Sequence, residues 1–189
     1  TSHGTALAAA ATEVGPATLP PKAIGQVREP EPGFIGAIAA GSRVAIYPED
    51  GADAATSPLV DPRAVAVGRK GEVYILERRG NALRVVEGGK IKTLIRPESL
   101  TPKFNGPKDL AVAPDGAVII VDTENHLVRR YDPKDGSTKT ILGSGTRGGK
   151  LVVNDPLQTE LNRPHGVAYA PDGALFISDS ENNRVLRLK

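Results

Sequence analysis

Residues 162–189 read NRPHGVAYAPDGALFISDSENNRVLRLK, and this stretch decides the fold. Three short apolar runs, at 167–170, 175–177 and 185–188, alternate with polar turns. Pro171, Asp172 and Gly173 form the first turn, because Pro restricts φ and Gly tolerates positive φ. The pattern predicts three antiparallel strands joined by tight turns.

The same pattern occurs twice more. Residues 60–86 read VDPRAVAVGRKGEVYILERRGNALRVV, and residues 105–131 read NGPKDLAVAPDGAVIIVDTENHLVRRY. Each copy has a leading proline and a turn glycine: Pro62, Pro107 and Pro164, and Gly71, Gly116 and Gly173. Both series are spaced by 45 and then 57 residues. A repeat of this length with four strand-sized segments indicates a blade of a β-propeller.

The strands of each blade can be placed from the apolar runs. We expect inner strands at 64–67, 110–113 and 167–170, second strands at 73–76, 117–121 and 175–177, third strands at 83–86, 127–131 and 185–188, and outer strands at 91–95 and 138–142. The inner strands of Ala and Val favour a position covered on both faces. The third strands alternate apolar residues with Arg, which favours a position nearer solvent.

The tripeptide Asn125-His126-Leu127 resembles the motif that names the NHL-repeat β-propeller family. The equivalent tripeptides are Asn182-Asn183-Arg184 and, less closely, Gly80-Asn81-Ala82. The resemblance covers about residues 34–189 and implies an all-β fold, a propeller segment of NHL-type four-stranded blades. The blades occupy about 60–95, 105–142 and 162–189, and the run FIGAIAA at 34–40 is a surplus outer strand. This fold hosts many unrelated sites, so the resemblance says little about function.

Composition limits the possible classes of protein. The chain has 189 residues, 39% hydrophobic and 4% aromatic, with a net charge of +2. Residues 1–33 are rich in Ala and Pro, which predicts a tail or linker. The absence of cysteine excludes disulfides and thiolate metal sites. Because methionine is also absent, we expect a processed form or a fragment, and an exported location, periplasmic or extracellular.

Acidic residues follow the second strands and could be read as calcium ligands. Asp122 and Asp179 are the two clearest, with Glu77 at the equivalent place in the first copy. They lack the closely spaced ligands of a helix-loop-helix calcium site. Short acidic side chains also favour turns, because they bind nearby backbone. We therefore expect a structural role, and no metal site or cofactor is predicted.

The position directly after each leading proline lies where an inner strand begins beside the central channel. Its occupants are Arg63, Lys108 and His165, which predict a basic collar that attracts carboxylates or phosphates. The alternative is that each side chain only covers a strand end in water. The NHL-like enzyme that cleaves peptidyl-hydroxyglycine binds zinc through histidines at this place. Only His165 matches, so a lyase or hydrolase would need ligands from outside this chain.

A third possibility is RNA binding, which the resemblance implies for some NHL propellers. The pairs Arg78-Arg79 and Arg129-Arg130 supply charge, together with Lys90, Lys92 and Lys103. Aromatic residues that would stack on bases are few. This makes nucleic acid an unlikely partner.

The predicted function is a non-catalytic interaction or scaffold module. Three blades are fewer than the usual minimum of a closed propeller, so we expect another polypeptide, a second copy or a larger complex, to complete the ring. The strand at 34–40 would pair beside 185–188 of that polypeptide and remove an exposed edge. The residues predicted to make this exchange are Phe34, Ile35, Ile38, Val185 and Leu188.

Overall fold

The computed structural model describes residues 47–189, which form three antiparallel sheets joined in chain order. The first blade contains β1 (Pro62–Val67), β2 (Val73–Glu77), β3 (Ala82–Glu87) and β4 (Lys90–Ile95). The second contains β5 (Asp109–Val112), β6 (Val118–Asp122), β7 (Leu127–Tyr131) and β8 (Thr138–Leu142). The third contains β9 (Gly166–Tyr169), β10 (Leu175–Asp179) and β11 (Arg184–Leu188). Single 3-10 turns lie at Thr123–Asn125, Pro156–Gln158 and Ser180–Asn182.

Within each blade the strands follow one another as a meander, in the order β1-β2-β3-β4, β5-β6-β7-β8 and β9-β10-β11. The strands predicted from residue 64 onwards are confirmed, with bounds within two residues of the expected ones. Short Val- and Ile-rich runs between Gly, Pro and Asp turns form strands because branched side chains fit a pleated, half-buried surface. The all-β fold is therefore as the sequence predicted.

The core lies between the blades. One apolar cluster joins Leu76 and Leu83 of the first blade to Ile120 of the second. Another joins Ile119 of the second blade to Ile177 of the third. The second strands carry most of this burial, since every residue of β6 is buried. Burying each such aliphatic side chain stabilises the fold by about 1.5–3 kcal/mol, so the blades hold one another together.

The prediction that the inner strands are covered on both faces is wrong for β1. Val65 and Val67 expose 65% and 64% of their surface. The segment before β1 covers only the outer part of this face, where Ala54 and Leu59 pack against Ile91. Among residues 47–189 no further sheet covers the inner part, so these valines face outward.

The two Pro-Asp-Gly turns join inner to second strands, as predicted. Gly116 and Gly173 have φ values of +91° and +81°, in the left-handed region that β-branched residues avoid. A Cβ at Gly173 would meet nothing within 4 Å. The requirement for glycine here is therefore one of backbone conformation and not of space.

This gives a test with a matched control. Gly173→Val should lower the free energy of unfolding by roughly 1 kcal/mol or more, because valine is strained at positive φ. Gly173→Asn should lose less, since asparagine tolerates the left-handed region. Urea denaturation measures both, and equal stability of the valine variant and the unmodified protein would contradict the turn assignment.

Candidate functional site

A buried carboxylate ends the second strand of every blade. Glu77, Asp122 and Asp179 are each 0% exposed. One oxygen of each accepts a backbone N–H from the residue 17 positions earlier, at 2.7–2.8 Å. The donors are Val60, Asn105 and Asn162. Each acid thus holds the loop that leads into the inner strand of its own blade.

The same carboxylates bind arginines from the third strands. Arg84 Nη2 lies 2.9 Å from Glu77 Oε2, and Arg129 Nε lies 2.8 Å from Asp122 Oδ2. The expectation that third-strand arginines lie near solvent is therefore wrong for these two, which are 1% and 4% exposed. Their guanidinium groups compensate a buried charge that would be costly without a partner.

Sequence reasoning missed this pairing. The signal was an acid followed by Arg seven residues later, which occurs as Glu77 with Arg84 and as Asp122 with Arg129. The third blade breaks the spacing: Arg184 binds Asp179 from five residues away, with Nε 2.8 Å from Oδ2. The long arginine side chain reaches the same carboxylate from another position on the strand.

The hydrogen bonds of Asp122 show that this buried acid has a structural role. Burial raises the pKa of Asp122, while the Asn105 N–H, the Asn125 side chain and Arg129 lower it. These three donors occupy both carboxylate oxygens. The geometry supports the structural role predicted for Asp122. Within residues 47–189, no group of three or more His, Asp or Glu side chains is placed to hold a metal ion.

A second repeated feature links neighbouring blades. Asn81, His126 and Asn183 have φ values of +46°, +56° and +51°. Asn81 Oδ1 accepts the Gly106 N–H at 3.1 Å, and His126 Nδ1 accepts the Arg163 N–H at 3.1 Å. In both cases the donor belongs to the next blade, so the His126 of the tripeptide motif is an acceptor between blades.

The second and third blades share further contacts. Thr123 Oγ1 donates to the Pro164 carbonyl at 2.8 Å. Asp109 Oδ2 accepts the Val167 N–H at 2.9 Å, which links two inner strands. These contacts fix the position of the third inner strand, and of the side chain that follows Pro164, relative to the second blade.

The structure brings two of the three predicted mouth residues together. Lys108 Nζ lies 2.5 Å from His165 Nε2. Arg63 is exposed at the start of β1 and affects Lys108 only through its charge. Burial lowers the pKa of Lys108, and Arg163 lowers it further. Burial, then Lys108, lower the pKa of His165.

The partner-binding residues that can be placed are both on β11. Val185 is 67% exposed, while Leu188 is half-buried against the second blade. Phe34, Ile35 and Ile38 lie outside the described residues, as do the tail at 1–33 and the strand predicted at 34–40. Beside β11 lies a groove of about 210 Å³, lined by β11 and by apolar residues of the segment that precedes the third blade.

Comparison with solved structures supports this architecture. A protein of unknown function from Bacteroides thetaiotaomicron is 19% identical, with a TM-score of 0.56 over 65% of this chain and 34% of that one. Virginiamycin B lyase from Staphylococcus aureus is 21% identical, with a TM-score of 0.51 over 69% of this chain and 38% of that one. At these identities the likeness shows the fold alone: the chain is a β-propeller segment.

Sequence comparison then names the repeat. The NHL repeat profile matches residues 104–131 and 161–188, the second and third blades. NHL repeat-containing protein 2 of Gallus gallus is 30% identical over 102 residues, 49% of this chain. These matches confirm NHL repeats in the second and third blades, as the motifs predicted. The chain spans only 14% of the length of that relative, whose activity therefore does not carry over.

No helix in the part of the chain that the structure describes is long and apolar enough to cross a membrane.

The buried ion pairs should dominate the effect of arginine substitutions. Arg129→Met leaves the Asp122 charge buried without its cation and should cost about 3–5 kcal/mol in the free energy of unfolding. The adjacent Arg130→Met is the matched control, because Arg130 binds the largely exposed Asp115 and should cost at most about 1 kcal/mol. Chemical denaturation compares the two, and equal losses would contradict this account. The double variant Asp122→Asn/Arg129→Met should recover part of the loss.

The His126 link predicts a pH dependence of stability. Burial lowers the pKa of His126 below its ordinary value of 6.5, and Arg147 lowers it further. The unfolded chain therefore binds a proton more readily, so stability is complete above about pH 6.5 and falls as the pH drops towards the folded pKa. His126→Asn keeps an acceptor of the kind found at Asn81. It should weaken the dependence below about pH 6.5, and an unchanged melting profile there would contradict the link.

Proposed function

We propose that this chain is a non-catalytic interaction module whose third blade is completed by a β-strand from another polypeptide. The observation that carries the proposal is the groove beside β11. It lies where the first two blades have an outer strand, since β4 and β8 follow β3 and β7 in their sheets. The proposed partner is a second copy of this chain or a chain that supplies further blades.

The first blade supports this interpretation by internal comparison. Residues 41–62 and 143–164 precede the first and third blades, and the two segments are 102 positions apart. Asp53 Oδ1 accepts the Ala55 N–H at 2.9 Å, and Asp155 Oδ1 accepts the Leu157 N–H at 3.1 Å, so the turns match at this offset. The contacts made by the segment before the first blade therefore indicate what kind of strand the segment before the third blade would bind.

In the first blade that segment binds the outer strand. Gly51 donates its N–H to the Ile91 carbonyl at 2.7 Å, and Ile91 donates to the Ala52 carbonyl at 3.0 Å. The Thr93 N–H donates to Asp50 Oδ1 at 2.6 Å. An outer strand is thus paired on both edges, with β3 on one side and this segment on the other.

The apolar surroundings of the outer strand also have counterparts. Ile91 is fully buried beside Ala54, Leu59, Ile75 and Val86. The equivalents in the third blade are Pro156, Leu161, Ile177 and Leu188. Two neighbouring side chains at the groove, Leu151 and Val153, are 53% and 83% exposed. These contacts favour an extended strand with an aliphatic residue at the position of Ile91.

The run FIGAIAA at 34–40 has this character, with either Ile35 or Ile38 available to enter an apolar groove, since residues three apart face opposite sides of a strand. Pairing of this run with β11 of a second copy adds a strand to an unpaired edge, where main-chain hydrogen bonds supply affinity and side-chain pockets supply specificity. Association would also cover Val65 and Val67 if the blades continue around a ring.

A propeller lyase or hydrolase is the alternative function. Its support is the fold shared with virginiamycin B lyase and the position of His165 at the mouth. Stoichiometric metal in protein purified without chelator would favour it over the interaction module. RNA binding has less support, because Arg129 is buried against Asp122 and Arg130 binds Asp115 and Asp132.

Light scattering in dilute solution tests the proposal. We expect a mass above the 19.8 kDa of one chain, and a stable, folded monomer would contradict completion by a second copy. Val153→Lys places a charge at the groove without disturbing the core and should weaken association at least about tenfold. Leu157→Lys is the matched control, because Leu157 is 46% exposed in the same segment but does not line the groove.

A peptide of residues 33–42 distinguishes the strand donors. If the run at 34–40 fills the groove, the peptide should compete and lower the measured mass. If association persists and the peptide has no effect, the strand comes from a different segment.

A further inference from the structure

Cationic side chains from three blades cluster near the start of the inner strands, the predicted mouth. Lys108 of the second blade contacts His165 of the third, with the two nitrogens 2.5 Å apart. Arg63 and Arg78 of the first blade and Arg163 of the third are close enough to act on Lys108 through their charges. Arg63, Lys108 and His165 each follow the leading proline of a blade, and Arg78 follows the second-strand acid Glu77.

The acidic neighbours of this cluster are already engaged. Glu124 accepts two hydrogen bonds from Arg163, at 3.0 and 2.8 Å, and these lower the pKa of Glu124. Glu181 also lies 3.8 Å from Arg163. Asp109 faces the other way along the strand and accepts the Val167 N–H. Glu124 and Glu181 therefore pair with Arg163, and Asp109 binds a backbone N–H. Neither Lys108 nor Arg78 forms an ion pair among residues 47–189.

Arg78 adds a second, independent observation. Its Nε is buried and has no hydrogen-bond partner among the residues that the structure describes. At the same position of the second blade, Thr123 Oγ1 donates to the Pro164 carbonyl, so the side-chain donor there has an acceptor. An arginine N–H removed from water without an acceptor costs free energy, which an acceptor reached through a small movement of the Arg78 side chain would recover.

We propose that the mouth is an oxyanion site, in which Lys108, His165 and Arg78 bind the carboxylate or phosphate group of a small ligand. The Lys108 ammonium has three N–H donors, so it can donate to His165 Nε2 and still bind an anionic group. Protonation of His165 breaks that contact and offers a second charged donor to the same group. Arg78 supplies the third donor, and Arg63 at the exposed rim adds long-range attraction. This site is separate from the groove beside β11, so the two proposals stand or fall independently.

Binding of an anion at this site is coupled to proton uptake. Burial and the neighbouring cations lower the pKa values of Lys108 and His165, while Glu124 raises both. Glu181 also raises the pKa of His165, and Arg163 lowers it. A bound anion favours the charged forms and raises both pKa values. The site therefore takes up protons on binding, and affinity falls as the pH rises.

NMR titration of the His165 ring in the full chain tests this. Sodium acetate and sodium phosphate serve as separate probes, with sodium chloride holding the ionic strength constant. We expect a saturable shift of the ring resonances and a raised His165 pKa. A response to acetate alone identifies a carboxylate site, and a response to phosphate alone identifies a phosphate site. No response to either, or a response that chloride reproduces, overturns the proposal.

Variants identify the donors. Lys108→Gln should weaken binding at least about tenfold, and Lys108→Arg should retain much of it. Lys139→Gln is the matched control, because Lys139 is an exposed lysine on β8 away from the mouth. Unchanged affinity in Lys108→Gln would overturn the role of Lys108. The NMR titration of the unmodified protein needs no variant, so it still tests the proposal if a substitution prevents folding.

Discussion

The carboxylate buried at the end of each second strand is the constraint on which the rest of the structure depends. Its charge is removed from water, so the fold must surround it with donors. It receives a backbone N–H from the loop before the inner strand and a guanidinium from the third strand. One side chain thereby joins three parts of a blade. Hydrophobic burial then fastens one blade to the next.

The strand pattern could be predicted from the sequence because it depends on local chemistry. Apolar runs of four to six residues, separated by turns such as that at Gly173, determine strands almost regardless of their neighbours. The sequence placed Lys108 and His165 at equivalent positions of neighbouring blades, beside the expected channel. The direct contact between them was not predicted, because it depends on the links made by Thr123 and Asp109 between blades.

The burial of Arg84 and Arg129 escaped sequence reasoning for a physical reason. An arginine that alternates with apolar residues on a strand is typical of a solvent-facing side, and only its partner reveals otherwise. The exposure of Val65 also could not be predicted from the sequence. Whether the outer face of the first blade is buried depends on what packs against it and not on the residues of the blade itself. Features that arise between blades are therefore less predictable than features within a blade.

The 17-residue separation between each carboxylate and its backbone donor has a consequence for how the chain folds. Closing a loop of this size costs little chain entropy, and the cost grows only slowly with length. Every blade therefore carries its own stabilising contact within a short stretch of sequence, which keeps contact order low for an all-β protein. During translation, which starts at the N-terminus, the strands of one blade can pair before the next blade has been synthesised. Because the apolar core lies between blades, each sheet becomes stable as its neighbour is added, in the order of translation.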